Sequence, residues 1–448
     1  MSDAIGNVRT RDAMSPRKRC RASSTALPSD LVLEIVARSD AATLLRCAAC
    51  CKPLRRDILS PAFIHRICHG PGAVVPPRLL AFLQSYDIFF HPAGDSPPPP
   101  LPPFVLAHPA TPAAARLSDK HIAPFVSRAS AAGGVGGLLS LYDPVTSRGG
   151  LVVLRRRDHA GVPQESGICV YDPMIGGRTF LPDPPEMASF SPDDGFSTYA
   201  LLTASDGISC SFLLLAVDFK LLMYPARTIM VRTFSSGAGE WSPITSAASD
   251  RLSHCYYLHP DCAAVVLGGG VVHWVMQGGR RYRFHVLTYN VGTAAVGLVD
   301  LPAMDLLPES YGHWSDANLR LAASPDGSRL TLLVRDRLTV SVWRQLPAGG
   351  AGGGWAKHAV IDTEATLRSL LPELPVTSWQ HNAIWFTSVG ERSGVVLFHL
   401  MDDAEERLVA LDIETKEMHR VCRHGNPRVQ AFPFEIDLES RLSAMKTF

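Results

Sequence analysis

The chain has 448 residues, 46% of them hydrophobic and 19% charged, with a formal net charge of +1. The apolar content is ample for a large core, and the length exceeds one ordinary domain but fits a large β domain plus a small unit. The near-neutral balance leaves no global basic field for nucleic acid or an anionic membrane, and the apolar runs at 211–224 and 263–276 are interrupted by Asp218, Lys220, Gly268–Gly270 and His273, so neither reads as a membrane span.

Residues 1–26 carry six basic side chains against two acidic ones and read as a disordered basic N-terminus. Within it, Pro16-Arg17-Lys18-Arg19 also fits a nuclear-localisation patch. There is no apolar stretch before Leu27, hence no expected signal peptide, and the ten scattered cysteines fit reduced thiols; the expectation is cytoplasm, nucleus or both.

Residues 27–63 are the most informative segment. Pro28 suits the first turn of a helix, and Asp30 and Glu34 lie where the helix dipole favours negative charge. Leu27, Leu31 and Ile35 form one stripe, with Arg38 continuing it and Val32 and Val36 beside it. Asp40 fits an N-cap for a second helix that carries Leu44, Leu45, Ala48 and Cys51 inward. Pro53 ends that helix and opens a third through Leu54 and Ile58. Three helices in under forty residues make a poor independent core, so their surplus apolar side chains point either to a docking surface or to packing on the rest of the chain.

The order Leu27-Pro28, two amphipathic helices with Leu44-Leu45-Arg46, then Cys51-Lys52 and Ser60-Pro61-Ala62-Phe63 resembles an F-box, the adaptor-binding module of cullin-type ubiquitin ligases. The resemblance covers 27–64 and implies contact with a Skp-type adaptor through Leu27, Pro28, Leu31, Ile35, Leu44, Leu45, Cys50 and Leu54. The chain departs from the family pattern in having Cys50 where Val is common and Leu54 where Trp is common; Leu54 buries less area than an indole, which would weaken the contact.

Residues 77–83 give a further helical pattern inside an extension spanning 65–91, and 92–117 form a Pro/Ala-rich linker of polyproline character. From 118 to 448 the texture becomes short β patterns separated by Gly, Asp, Pro and Ser, such as 151–154, 212–217, 230–234, 264–267, 271–276, 284–289, 330–334, 338–343 and 395–400, with one short helix at 363–371. A weak repeat runs through 170–185, 288–302 and 410–422, with a second form at 232–244 and 341–361; its anchors are Asp172, Phe234, Asn290, Trp343 and Asp412. At roughly 40–50 residues per blade, this length predicts an irregular β-propeller of six or seven blades, with a β-sandwich or barrel pair as the competing arrangement. The layout resembles plant F-box proteins, especially grass ones, that carry a propeller-like domain after the box, and the fold class expected is α+β multidomain: a small all-α unit, then a large all-β one.

No GxSxG, HExxH, P-loop or GxGxxG signature occurs. Cys47, Cys50 and Cys51 lack a second ligand pair and read as helix packing; His254, Cys255, His259 and Cys262 match no zinc spacing; Asp402, Asp403, Glu405 and Glu406 read as a solvated hairpin end. The resemblance therefore implies a non-catalytic substrate receptor of a cullin–RING (SCF-type) ligase, needing no cofactor or metal. Its partners would be the adaptor and an unknown protein client held by the β domain, not nucleic acid or membrane. The alternatives are a ligand-binding or enzymatic propeller with a non-functional F-box-like appendage, and a non-ubiquitinating F-box adaptor.

Overall fold

A computed structural model describes residues 27–39, 41–69, 79–86, 104–106, 142–156, 167–173, 176–185, 187, 197–223, 228–248, 256–258, 263–278, 283–302, 319–347, 354–372, 384–401, 406–425, 429–436, 438–443 and 445. The basic N-terminus, Asp40 and most of the Pro/Ala-rich linker lie outside them.

Helices α1 (Ser29–Ala37), α2 (Ala41–Cys50), α3 (Lys52–Ile58) and α4 (Pro61–His69) open the fold, one more than the sequence pattern predicts. Pro28 is the N-cap of α1 rather than a first-turn residue, while Pro53 does lie in the first turn of α3. Residues 77–83 are a correction. The expected helix is strand β1 (Leu79–Tyr86), which pairs antiparallel with β2 (Phe104–Leu106) on one edge and β24 (Val429–Glu435) on the other. Phe82 is buried on one face of β1, and Ala81 and Leu83 on the other. A strand covered on both faces reads as a continuous apolar run, which periodicity cannot separate from a buried helix. Strand β2 falls inside the segment expected to be a plain linker.

Five antiparallel sheets follow in chain order. The first holds β3 (Tyr142–Arg148), β4 (Leu151–Arg156), β5 (Ile168–Asp172) and β6 (Gly177–Leu181). The second holds β7 (Ser197–Thr203), β8 (Phe212–Asp218), β9 (Thr228–Ser235) and β10 (Thr245–Ala248). The third has β11 (Tyr256–Leu258) and β12 (Val265–Leu267) sharing one edge of β13 (Val271–Gly278), then β14 (Arg283–Asn290) and β15 (Ala295–Asp300). The fourth comprises β16 (Leu319–Ala323), β17 (Leu330–Asp336), β18 (Thr339–Gln345) and β19 (Trp355–Asp362), followed by α5 (Glu364–Leu370). The fifth comprises β20 (Ile384–Val389), β21 (Val395–Met401), β22 (Glu406–Asp412) and β23 (Met418–Gly425); β24 and α6 (Leu438–Ser443) end the chain.

These are the blades of a five-blade propeller, against the six or seven expected from length. Four apolar cores lie between consecutive blades. Trp274 of the third sheet, fully buried, meets Phe219, just after β8 of the second, edge-on at 5.4 Å between ring centroids. The sheet β2-β1-β24 packs between the fifth blade, through Phe82, Leu397, Leu408 and Ala431, and the first, through Leu83, Phe434, Val152 and Tyr171.

All five repeat anchors stand at or near the end of a blade's third strand. The side chain of Asn290 accepts the N–H groups of Gly292 and Thr293 at 2.9 and 3.0 Å, and that of Asp412 accepts those of Glu414 and Thr415 at 2.9 and 3.0 Å. Four residues after each anchor the backbone is left-handed, at Ala294 and Lys416, as at Gly176 after Asp172. A short polar side chain that closes its own turn explains why Asp or Asn recurs there. The second repeat form carries a different device: Trp241 and Trp355, opening the outer edge of blades two and four, donate their indole N–H to the carbonyls of Pro182 and Asp300 at the exit of the preceding blade (3.0 and 2.9 Å). Replacing exposed Lys416, with φ of 63°, by Gly is expected to stabilise the chain by about 0.5–1 kcal/mol by relieving left-handed strain, whereas Asp412→Ala is expected to cost about 1 kcal/mol; urea unfolding reads both.

Candidate docking surface

Helix α1 turns two faces to different surroundings. Val36 is buried, with Val32, Leu33 and Ala37 packed beside it, in a core that also contains Leu44, Leu45 and Ala48 of α2, Ile58 of α3 and Phe63, Ile64 and Ile67 of α4. The opposite stripe is open: Leu27 is 60% exposed, Leu31 53% and Ile35 60%. Leu31 and Ile35, four apart, share one face of α1, and Leu27, just before the Pro28 N-cap, is exposed as well. They are half of the large exposed hydrophobic residues among those described. Glu34, next to the stripe, is paired with Arg38 at 2.8 Å and with Arg66 of α4 at 3.2 Å, which ties α1 to α4.

The eight residues singled out from the resemblance divide. Leu27, Pro28, Leu31 and Ile35 are exposed together, and Cys50 is exposed at the end of α2. Leu44 and Leu45 are buried at 2% and 3% exposure and Leu54 is half-buried against the same core, so in this arrangement they support α1 rather than face outward. Cys51, expected inward, is exposed because α2 ends at Cys50 and Cys51 is the extended N-cap of α3.

The helical core does not stop at the helices. It continues through Leu438 and Leu442 of α6 into Tyr142, Val152, Cys169 and Tyr171 of the first blade. This continuity decides which variants can probe docking. Removing 27–63 would strip the cover from the first blade, whereas changing an exposed stripe residue leaves the core intact.

A second polar constellation, which sequence spacing does not reveal, lies near where the first strands of blades one, two, three and five turn into the second. Arg148, at the end of β3, precedes a two-residue turn at Gly149 and Gly150, both with positive φ as this tight hairpin requires. A Cβ on Gly150 would stand 2.9 Å from Arg441 of α6. The Arg148 guanidinium donates from Nε and Nη2 to Asp206 at 3.1 and 2.6 Å and from Nη2 to the Val266 carbonyl at 3.1 Å, and it also pairs with Glu391. Asp206 belongs to a short 3₁₀ turn after β7 and also accepts the Thr203 N–H at 2.8 Å. One side chain thus ties together blades one, two, three and five. Burial lowers the Arg148 pKa, opposed by its hydrogen bond and charge pairing with Asp206. Arg441 pairs in turn with Asp172 of the first blade. These partners come from turns far apart in sequence, so no local pattern announces them. The geometry is that of a structural junction built on charge-assisted hydrogen bonds.

Other titratable groups read as core. Burial pushes the Cys169 thiol up to about 12, which keeps it protonated. Buried His273 shares a hydrogen bond of 3.2 Å between Nδ1 and the Val265 carbonyl, and burial lowers its pKa to about 4. Unfolded His takes its proton near 6.5 and folded His273 only near 4, so its contribution is complete above pH 6.5 and is lost as pH falls towards 4. We expect a loss of about 3 kcal/mol across that window; His273→Gln removes this pH dependence, so the wild-type-minus-variant difference in chemical denaturation should fall from pH 7 through 5.5 to 4.5. Among the described residues no group of three His, Cys, Asp or Glu side chains is placed to hold a metal, and no helix is long and apolar enough to cross a membrane. His254, Cys255, His259, Cys262, Asp402, Asp403 and Glu405 lie outside the described residues.

Comparison with known proteins adds the following. Solved structures to which the chain is similar include a protein from Lactobacillus plantarum (11% identity, 66% of this chain and 90% of that one, TM-score 0.33), an oligogalacturonate lyase from Vibrio parahaemolyticus (9%, 62% and 63%, TM-score 0.31) and oligopeptidase B from Trypanosoma brucei (8%, 62% and 34%, TM-score 0.29). The chain thus spans less than two thirds of the lyase and about a third of the peptidase, and likeness at these scores carries no statement about activity. Comparison with the curated proteins gives no match. Residues 111–448, well over half of the chain, match the model of a domain of unknown function, DUF7595, and the protein is a member of that family.

Proposed function

We propose that the chain is a substrate receptor of a cullin–RING ubiquitin ligase, docking on a Skp-type adaptor through α1 and presenting a protein client on its propeller. The observation that carries this reading is the open Leu27, Leu31 and Ile35 stripe on a helix whose other face is fully engaged. A contiguous apolar face left open at the edge of a well-packed unit is the usual mark of a partner site. Its residues are those the F-box resemblance assigns to the adaptor. Leu44, Leu45 and Leu54 act in this reading as the base beneath that face, with Cys50 at its margin.

The chain itself performs no chemistry in this account. It raises the effective concentration of a client lysine near charged ubiquitin, a gain of proximity rather than of catalysis. Cys50, Cys51, Cys169 and Cys210 are free thiols, which suits the proposed setting in cytoplasm or nucleus. We further propose that the β2-β1-β24 sheet serves as the closing sector of the ring, a sixth, incomplete blade.

Co-purification tests the reading. Full-length chain and a Skp-type adaptor are expected to elute as one complex that also retains a cullin. Well-folded chain that elutes apart from the adaptor contradicts it and shifts weight to a propeller that acts alone. A complex that holds adaptor but never cullin favours the non-ubiquitinating alternative.

A further inference from the structure

We infer that the N-terminal strands close the propeller and make helices and ring one cooperative unit, so that events at the α1 surface and the integrity of the ring are thermodynamically linked. The family match begins at residue 111, yet β24, inside it, finds its partner strand upstream of it. The pairing runs from Leu79 opposite Glu435 to Tyr86 opposite Val429. Phe82, fully buried, fills a space bounded by Leu397 and Leu408 of the fifth blade and by Ala431. Leu83, on the other face of the same strand, belongs to the core shared by the four helices, α6 and the first blade.

The last strand is fastened from both sides. The Glu435 carboxylate accepts the N–H groups of Arg392 and Ser393 in the turn of the fifth blade, at 3.0 and 3.2 Å. The Ser147 hydroxyl, on the first blade, donates to the Pro433 carbonyl. Without β1, the edge of β24 would be unpaired and one face of both neighbouring blades would lie open, the situation propellers avoid. A ring closed by β1 against β24 therefore opens with disruption of the core that Leu83 shares with the helices. Anything that binds the helices in their folded state stabilises the ring by mass action. Identifying that ligand as the adaptor rests on the proposed function; the closure itself does not.

The test uses the full chain. Gln84 lies opposite Ala431 in the β1–β24 register, so Gln84→Cys with Ala431→Cys places two thiols on directly paired antiparallel residues, within disulfide reach. Under mild oxidation we expect a peptide linking 84 to 431 by mass spectrometry, absent from either single variant, and a higher melting midpoint. All seven tryptophans follow residue 240 in the sequence, and Trp241, Trp274, Trp343, Trp355 and Trp385 lie in described blades, so their fluorescence follows the ring while the 222 nm signal follows the helices. The two midpoints are expected to coincide in wild type, and to fall together by several degrees in Phe82→Leu, a milder change than Phe82→Ala. Failure of the 84–431 link, or helices and ring melting at separate temperatures in wild type, overturns the closure. If the link forms but a Skp-type adaptor neither binds nor moves the tryptophan midpoint, the closure stands and the adaptor reading fails.

Discussion

Replacing Arg148 with Met is expected to destabilise the whole chain by about 3–5 kcal/mol, the largest effect of any single polar change in the ring. Asp206, with its side chain fully buried, would keep its charge but lose both guanidinium bonds, and Glu391 would lose its partner. An uncompensated buried carboxylate is what makes breaking such a pair costly, far beyond the net worth of the pair itself. The double variant Arg148→Met with Asp206→Asn should recover part of the loss, because the second change removes one stranded charge. Arg148→Lys keeps the charge but not the fork that spans Asp206 and Val266, and should fall between wild type and Met. Urea unfolding followed by tryptophan fluorescence reads all three. A loss below about 1 kcal/mol for Arg148→Met would show that the junction contributes no more than a surface pair.

The second large effect lies on the helices. Leu31→Asp is expected to weaken adaptor binding at least about 100-fold, and Leu31→Asp with Ile35→Asp to abolish it, while the melting midpoint stays within a degree or two of wild type. Each leucine or isoleucine buried at the contact is worth about 1.5–3 kcal/mol, and an unpaired carboxylate pressed into an apolar partner adds to that loss. Both side chains are more than half exposed in the free chain, so removing them leaves no internal cavity. Leu44→Asp is the informative contrast. It too should abolish binding, but by unfolding the shared core, and its melting curve would say so. Binding titrations paired with thermal melts separate the two causes.

Much of this architecture is legible in the sequence because it depends on local rules. The β patterns at 212–217, 271–276, 284–289 and 395–400 fall within strands, and the helix expected at 363–371 is present at Glu364–Leu370. The repeat anchors are legible because a side chain at the head of a turn must satisfy the turn's own N–H groups, as Asn290 and Asp412 do. The same anchors carried the blade count. Five anchors mark five third strands, whereas dividing the length by a typical blade gave six or seven, since the connections between strands add residues that no blade uses.

What failed to show in the sequence depends on distant packing. Pro77–Leu83 reads as a helix because nothing local reveals that β24, far along the sequence, will cover the edge of this segment. Helical spacing already turns Leu44 and Leu45 inward, as they are found; it is the family resemblance that groups them with the exposed Leu31 and Ile35 as contact residues. Arg148 stands out nowhere in the sequence, and its role exists only once the turns of four blades meet.

The account stands most directly on where the adaptor touches the chain. Hydrogen–deuterium exchange of the full chain, alone and with a Skp-type adaptor, maps that contact without altering a residue. New protection at the amides of α1 and the adjoining end of α2, together with a general slowing across the β1–β24 pair, is the predicted result. Protection confined to propeller loops, or unchanged exchange along α1 in a sample where the complex is present, would contradict it.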